Sequence, residues 1–261
     1  MRLLAVLGVL PVVLMAAACG GSGEGDGAQA PVAPPEPVAQ QELLQLPEAS
    51  TFGNIPELAK DPEPQAKTDG LVVHPHRELP IYREKNGPAV ARLPVTQLGS
   101  PTWVPVIAKD GDWYQVLLPS RPNGSTGWIH ASTGDLEEAR TDYLVEVDVD
   151  AFTMTVREGD RELGRWTVGV GKPEYPTPRG RTFIMASIEE TVANYSPYVL
   201  PLGTHSESHE TYGGGPGTVA LHGWPDDSPF GKADSDGCIR VPDDALDLLI
   251  TLPLGTLVLI R

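Results

Sequence analysis

The amino-acid sequence predicts a mostly β fold with one clear helix, and three observations carry that prediction. Hydrophobic residues make up 40% of the 261 residues, which is enough for a packed core. Proline and glycine are abundant, at 27 and 28 residues, which favours many turns and short strands over long helices. Short apolar runs and alternations recur from Leu71 onward, and the one convincing helical segment runs from Asp243 to about Ile250.

The formal net charge of −16 bears on the class of partner. Binding to a nucleic-acid backbone needs clustered lysine and arginine side chains, which an acidic chain of this kind does not supply. We therefore expect no nucleic-acid partner.

The first 19 residues have the features of a secretory signal. Met1-Arg2 gives a positively charged start, and the apolar stretch Leu3–Met15 is too short for an ordinary membrane-spanning helix. Ala16-Ala17-Ala18 then precedes Cys19, which resembles the lipobox of bacterial lipoproteins, although a bulky aliphatic residue usually stands at the place of Ala16. The resemblance implies an exported protein anchored by a lipid on Cys19 to the outer face of the cytoplasmic membrane. A secreted protein cut near Ala18 is the alternative.

Residues 20–70 are acidic, rich in proline and glycine, and poor in aromatic side chains. Such a segment buries too little apolar surface to offset the entropy of ordering. We expect an extended, disordered tether here, with a short helix possible near Gln40–Leu46.

Residues 71–135 read as a small β domain, because strand-like runs alternate there with turn residues such as Asn86-Gly87-Pro88. The pattern LPIY…GDWYQV…GSTGWI, from Leu79 to Ile129, resembles bacterial SH3-like domains. The resemblance implies a small barrel that often binds the cell wall. The alternative is a spacer barrel in which Trp113 and Trp128 only fill the core.

Residues 141–261 begin with a predicted β-meander. Apolar and polar side chains alternate over Tyr143–Asp150 and again over Phe152–Val156, and after a turn the chain returns over Trp166–Val170. Pro242 suits the first turn of the helix that follows, and a last strand ends the chain.

The candidate chemistry of this segment lies in a cysteine and a histidine. If Cys19 is acylated, Cys238 is the one remaining thiol of an exported protein, and such an unpaired cysteine is a candidate reactive group. His222, the nearest histidine upstream, can take its proton or pair with the thiolate. Gly223 and Gly237 allow close approach of a substrate backbone. A sharp turn at Gly237 can aim the N–H groups of Gly237 and Cys238 at one point as an oxyanion hole.

Three motifs follow one another in this segment. They are Gly171-Lys172-Pro173 with Pro176–Gly180, then Leu221-His222-Gly223, and then Ser235–Arg240, which reads SDGCIR. Together they resemble the catalytic domain of L,D-transpeptidases of the YkuD type, and the resemblance covers residues 141–261. It implies a β-rich catalytic domain that uses no cofactor and no metal and acts on peptidoglycan stem peptides.

The resemblance also implies a mechanism. Cys238 attacks a stem-peptide carbonyl, releases the terminal D-alanine, and passes the acyl group to an amine of a neighbouring stem, which gives a 3–3 crosslink. His222 is the implied base, and the carbonyl of Gly223 is the implied group that orients it.

Substrate contacts are predicted around the nucleophile and in an insertion from Glu189 to Gly217, which corresponds in position to the family's lid; a plain surface loop is the alternative. The predicted substrate-binding residues are Ser235, Asp236, Arg240, Tyr198 and Tyr212. Asp236 departs from the family, since many members have histidine there. Its charge either opposes thiolate formation or holds a substrate amine.

Several alternatives remain open at this point. His222 and Cys238 could ligate zinc with His205 or His209, although the spacings of structural zinc sites are absent. A papain-like hydrolase would have its cysteine before its histidine, the reverse of the order here. The same thioester would also serve an L,D-carboxypeptidase or an enzyme that anchors proteins to peptidoglycan, and a non-catalytic wall-binding lipoprotein is the alternative of another class.

Overall fold

The computed structural model describes residues 34–132, 134–192, 195–208, 211 and 215–261, and over them the predicted mostly β fold is confirmed. The predicted signal segment, with Cys19, lies outside the described residues. Neither described helix has the length and apolar character needed to cross a bilayer.

An antiparallel sheet forms the N-terminal half. Its elements are α1 (Gln40–Leu43), β1 (Ala59–Lys60), β2 (Leu71–Pro75), β3 (Leu79–Tyr82), β4 (Ala89–Leu93), β5 (Thr96–Gln97), β6 (Ser100–Pro101), β7 (Val104–Asp110), β8 (Trp113–Leu117), β9 (Ser125–His130) and β10 (Leu136–Arg140). The strand order is β10-β2-β7-β8-β9-β3-β4, with β1 paired to β9 and a separate β5-β6 pair. Val73, Ile81 and Val116 fill one core from alternating strand positions. The likeness to SH3-like domains stays a prediction.

The predicted tether over residues 20–70 is wrong from α1 onward. The short helix expected near Gln40–Leu46 is present as α1, and β1 pairs antiparallel with β9. Ala49, Ile55 and Leu58 are buried in the core of the N-terminal sheet. Composition did not indicate this, because a few widely spaced apolar side chains are enough to order a polar segment when a neighbouring core receives them.

The C-terminal half contains the meander and the final helix. Its elements are β11 (Tyr143–Asp148), β12 (Thr153–Glu158), β13 (Arg161–Thr167), β14 (Val170–Gly171), β15 (Gly180–Phe183), β16 (Ile188–Glu189), β17 (Tyr198–His205), β18 (Thr218–His222), β19 (Ala233–Ser235), β20 (Ile239–Arg240), α2 (Asp243–Leu249) and β21 (Leu257–Ile260). One sheet has the order β13-β12-β11-β21-β15, and a second has the order β16-β17-β18-β20. The predicted meander is β11-β12-β13, and the predicted helix is α2.

A second core lies between these two sheets and α2. The helix begins after Pro242, and Asp243 and Asp244 in its first turn complement the positive end of its dipole. Its buried face, including Leu246 and Leu249, packs against the strands. The parallel strands β18 and β20 pack in this core. The core therefore fixes the positions of the residues at the ends of these two strands.

The two halves are joined by buried contacts. Phe183, Met185 and Leu257 from the C-terminal half belong to the core of the N-terminal sheet. Arg181 of β15 makes a two-pronged ion pair with Asp61, at 2.6 and 2.7 Å, and the two side chains are only 4% and 2% exposed. The segment before the first predicted domain is therefore part of the folded molecule.

Candidate active site

A cavity of about 210 Å³ opens at the ends of β17, β18 and β20. Its wall includes Tyr195, His222, Trp224, Asp236, Cys238 and Arg240. Another cavity, of about 290 Å³, lies at the junction of the two halves, and neither histidine nor cysteine lines it. The smaller cavity is therefore the candidate active site.

His222 is the last residue of β18 and is 7% exposed. Its Nδ1 atom lies 2.7 Å from the carbonyl oxygen of Gly223. Because a carbonyl only accepts hydrogen bonds, Nδ1 carries the proton and Nε2 carries the lone pair. Burial lowers the pKa of His222 to about 4; the positive charge of Arg240 adds to the lowering, and the bond to Gly223 opposes it. The imidazole is neutral at neutral pH, as a general base requires.

The Gly223 peptide is itself held in place. Its N–H donates to Ser196 Oγ at 2.7 Å, and that hydroxyl donates to the Tyr198 carbonyl at 2.6 Å. A Cβ at Gly223 would lie 3.1 Å from Ser196 Oγ, so a larger residue would press on this contact. Ser196 thus fixes the carbonyl that selects the His222 tautomer, a role that sequence reasoning missed.

Cys238 is a free, half-buried cysteine immediately before β20. The parallel register that pairs Leu221 with Ile239 brings it alongside the end of β18. Burial raises the pKa of the Cys238 thiol and the charge of Asp236 adds to this, while a hydrogen bond from the Ala220 backbone and the charge of Arg240 lower it. The resting side chain is therefore a thiol whose proton must be removed for nucleophilic attack.

Two hydroxyl groups hold the turn before Cys238 in place through hydrogen bonds. Gly237 has a φ of +116°, which favours glycine at this position. Thr177 Oγ1 donates to the Gly237 carbonyl and accepts the N–H of Gly171, both at 2.9 Å. Ser235 Oγ donates to the Cys238 carbonyl at 2.6 Å and accepts the Gly237 N–H at 3.2 Å. The glycine–lysine and threonine–proline motifs therefore support the cysteine turn.

This geometry bears on two predictions. The N–H of Gly237, predicted as an oxyanion donor, already donates to Ser235; within the described part of the chain, no residue accepts the N–H of Cys238. Ser235, predicted to bind substrate, is 1% exposed and uses its hydroxyl inside the turn. Its hydroxyl holds the loop that carries the cysteine, and the residue also borders the cavity, so its contact with substrate stays a prediction.

Asp236 lies on the cavity wall and pairs with Lys172, whose Nζ is 2.7 Å from Oδ1. The hydrogen bond to Asp236 raises the pKa of Lys172. The ammonium also lies 4.7 Å from the ring centre of Tyr175. The acidic residue that departs from the family pattern is thus neutralised by the lysine of the first motif. The charge of Asp236 contributes to the raised pKa of the Cys238 thiol, as one of its two predicted effects requires, and contact with a substrate amine stays a prediction.

Arg240 and three aromatic rings form the remaining wall. The Arg240 guanidinium lies 3.8 Å from the centre of the Trp224 ring and donates to Asp234 at 2.7 Å. Tyr195 meets the His222 ring edge-on at 5.1 Å between ring centres. Trp224 and Tyr195 were not among the predicted site residues, although Trp224 directly follows the His222-Gly223 motif.

The insertion from Glu189 to Gly217 supplies cavity wall through Tyr195, Val199, Ser206 and Gly217. Tyr198 packs against the second core, while its strand neighbour Val199 lines the cavity. Successive side chains of a strand point to opposite faces, which explains why Tyr198 does not line this cavity; its contact with substrate stays a prediction. Tyr212 lies outside the described residues.

The zinc alternative requires His205 or His209 beside His222 and Cys238, and His205 does not line this cavity. His205 is fully buried and its Nε2 contacts Thr51, and His209 lies outside the described residues. Among the described residues, no three histidine, cysteine, aspartate or glutamate side chains are placed to hold a metal ion.

A neutral histidine with a fixed tautomer and a half-buried thiol on one cavity wall define a β domain with a cysteine–histidine site. Residues 142–260 match the YkuD L,D-transpeptidase catalytic domain. A protein of Bacillus licheniformis with the assigned name L,D-transpeptidase YkuD is 30% identical over 148 residues, which cover 54% of this chain and 82% of that protein. This chain therefore belongs to the YkuD L,D-transpeptidase family.

Two further similarities accompany this match. The Bacillus subtilis protein with the same assigned name is 30% identical over 120 residues, which cover 46% of this chain and 66% of that protein. A solved L,D-transpeptidase from Mycobacterium smegmatis is 17% identical with a TM-score of 0.43, over 60% of this chain and 82% of that chain. Membership of the family rests on the sequence matches.

Proposed function

We propose that this protein is a peptidoglycan L,D-transpeptidase that forms 3–3 crosslinks through an acyl-enzyme on Cys238. The carrying observation is the neutral His222, whose Nδ1 is bound to the Gly223 carbonyl and which lines the same cavity as Cys238. Its lone pair on Nε2 is the proton acceptor that a thiol with a raised pKa needs.

In the acylation step the thiol proton passes to Nε2 of His222 as the sulfur of Cys238 bonds to the stem-peptide carbonyl carbon. The N–H of Cys238 supports the developing oxyanion. When the tetrahedral intermediate collapses, the C–N bond to the terminal D-alanine breaks, and the imidazolium returns the proton to the leaving amine. A thioester on Cys238 and a free D-alanine remain.

In the second step an acceptor amine attacks the thioester. His222 takes a proton from the attacking nitrogen, an amide bond forms, and the C–S bond breaks as the sulfur regains its proton. The released product is a crosslinked pair of stems. With water in place of the amine, the same chemistry yields a tripeptide, which is the carboxypeptidase outcome.

Mass spectrometry of a disaccharide-tetrapeptide tests the proposal. The full chain carrying Cys19→Ser, so that Cys238 is its one thiol, is compared with the same chain carrying Cys238→Ala. We expect a dimer that has lost one D-alanine from the first protein alone. A tripeptide without dimer would replace transpeptidase by carboxypeptidase, and no product from either would reject both activities on this donor.

The membrane anchor is a separate proposal, motivated by Ala16–Cys19 and by the apolar stretch before it. We propose export and lipidation of Cys19, which places the catalytic half on the outer side of the cytoplasmic membrane. Because Leu43 is the first buried side chain among the described residues, the chain from Cys19 to this point spans at most about 80 Å. Release of the Cys19→Ser protein into the soluble exported fraction would support the anchor, and retention in membranes would contradict it.

A further inference from the structure

One wall of the cavity is formed where β17 ends and β18 begins. Ser206, Gly217 and Thr218 line the cavity there. The Ser206 N–H donates to the Gly217 carbonyl at 2.9 Å, which ties the two strand ends together. Ser206 also lies against the cysteine turn, since its Cβ is 3.7 Å from the place a Cβ on Gly237 would take.

The loop between β8 and β9, which belongs to the N-terminal half, holds these strand ends through hydrogen bonds. Arg121 donates to the Ser206 carbonyl at 3.2 Å and to the Pro216 carbonyl at 2.9 Å. Asn123 makes a reciprocal pair with the backbone of His205, donating at 2.7 Å and accepting at 2.9 Å. One loop therefore holds backbone groups on both strands.

Thr51, from the segment predicted to be a tether, makes further hydrogen bonds to the same strand ends. Its Oγ1 lies 2.6 Å from Thr218 Oγ1 and 3.0 Å from His205 Nε2, and its carbonyl lies 2.7 Å from the same Nε2. Thr51 is 2% and His205 0% exposed, so water does not compete for these bonds. The backbone of Gly53 accepts the Arg121 N–H at 2.8 Å, which links this segment to the loop.

We propose that Thr51, Arg121 and Asn123, here called the clamp, are positioning residues of the active site. By holding the strand ends at Ser206 and Thr218, the clamp sets the shape of the wall beside Cys238 that receives the stem peptide. It rests on the proposed function for the identity of that ligand. Productive geometry is sensitive to displacements of about 1 Å, so hydrogen bonds remote from the sulfur are sufficient to affect binding.

The test substitutes Thr51 in the full chain carrying Cys19→Ser. Thr51→Val removes the hydroxyl at nearly constant volume, and Thr51→Ser keeps it. Thr141→Val is the matched control, because Thr141 Oγ1 contacts buried Thr256 Oγ1 at 3.5 Å between the two halves and does not line this cavity. Three readouts are taken: the KM and kcat for D-alanine release, the rate of Cys238 alkylation by iodoacetamide, and hydrogen exchange of peptides 199–206 and 217–222.

For Thr51→Val we expect faster exchange in both peptides and a KM about fivefold or more higher, with a smaller effect on kcat. The alkylation rate should change less than KM, because a small reagent does not need the shaped wall. Thr51→Ser should restore both values, and Thr141→Val should leave them near wild type.

Unchanged exchange in the two peptides, or equal KM effects of Thr51→Val and Thr141→Val, would overturn the clamp. If the unsubstituted protein releases no D-alanine, the proposed function is rejected, and hydrogen exchange alone then tests the clamp. In that case, faster exchange confined to the two peptides in Thr51→Val, with rescue by Thr51→Ser, supports it, and uniform or unchanged exchange rejects it.

Discussion

The Nδ1 atom of His222 lies 2.7 Å from the carbonyl oxygen of Gly223, the next residue in the chain. This contact places the ring proton on Nδ1, and the lone pair falls on the other nitrogen. Burial and the nearby charge of Arg240 keep the pKa of the ring at about 4. Since the Cys238 thiol has a raised pKa, the resting pair is a neutral thiol and a neutral imidazole rather than an ion pair.

The first prediction concerns the pH dependence of Cys238 alkylation in the chain carrying Cys19→Ser. Only the thiolate reacts, and burial raises its pKa above the ordinary value of 9.0. The rate constant with iodoacetamide should therefore rise steadily with pH through about pH 9. The same chain unfolded in urea is the control and should reach half its limiting rate at lower pH. A rate plateau in the folded protein between about pH 5 and 8 would show a thiolate–imidazolium pair and contradict the neutral one.

The second prediction separates the roles of Asp236 and Lys172. The negative charge of Asp236 raises the pKa of Cys238, so Asp236→Asn should speed alkylation at neutral pH, on the order of twofold. Lys172→Met leaves the Asp236 charge without its partner and should slow alkylation. Asp226→Asn is the matched control, because this exposed aspartate binds the Ser228 N–H and should not alter the rate. Changes of the same sign in Asp236→Asn and Lys172→Met would contradict the electrostatic account.

The sequence predicted the parts of the site that depend on neighbouring residues. The tautomer contact between His222 and Gly223 involves adjacent residues, and the turn before Cys238 is signalled by glycine in a short motif. The meander and α2 could be predicted as well, because side-chain periodicity within one segment decides them.

Contacts between distant segments could not be predicted in this way. Ser196 holds the Gly223 peptide, and Thr51 contacts His205, which lies 154 positions further along the chain. Neither residue belongs to a motif, and each hydroxyl has many alternative partners in an unfolded chain. From α1 onward the tether prediction was wrong for the same reason, since the burial of Ile55 depends on a core built by residues far along the chain.

The third prediction concerns the buried ion pair between Asp61 and Arg181. Arg181→Met removes one partner and leaves the carboxylate of Asp61 uncompensated in a site where the side chains are 4% and 2% exposed. Such a change costs about 3–5 kcal/mol of unfolding free energy. Asp61→Leu combined with Arg181→Met should recover much of that loss, because two apolar groups need no partner. Urea denaturation of the variants measures this, and an Arg181→Met protein as stable as wild type would show that residues near Asp61 are not part of the folded unit.

The fourth prediction is a loss of stability between pH 6.5 and about pH 4 that comes from buried histidines. Burial lowers the pKa of His205 to about 4, and the charge of Arg121 adds to this, against a bond to Thr51 that raises it. Below its ordinary pKa of 6.5 the unfolded histidine binds a proton that the folded one does not, so stability must fall as the pH drops towards 4. The full contribution is on the order of 3 kcal/mol. Carboxyl groups whose pKa is lowered, such as Asp135 beside Arg77, also stabilise the folded state. Their contribution to stability is lost only at a pH below the range in which the histidines act.

His205→Gln isolates this effect, because the glutamine amide keeps a donor near the Thr51 carbonyl and does not titrate. The slope of unfolding free energy against pH should become shallower between about pH 4 and 6.5, while stability at neutral pH changes little. His222→Gln is the matched variant, since the pKa of His222 is also lowered to about 4, and it should flatten the slope similarly. The two variants should then differ in function, because only His222→Gln removes the proposed base. A His205→Gln protein that keeps the full wild-type slope would show that His205 becomes protonated in the folded state as readily as in the unfolded chain.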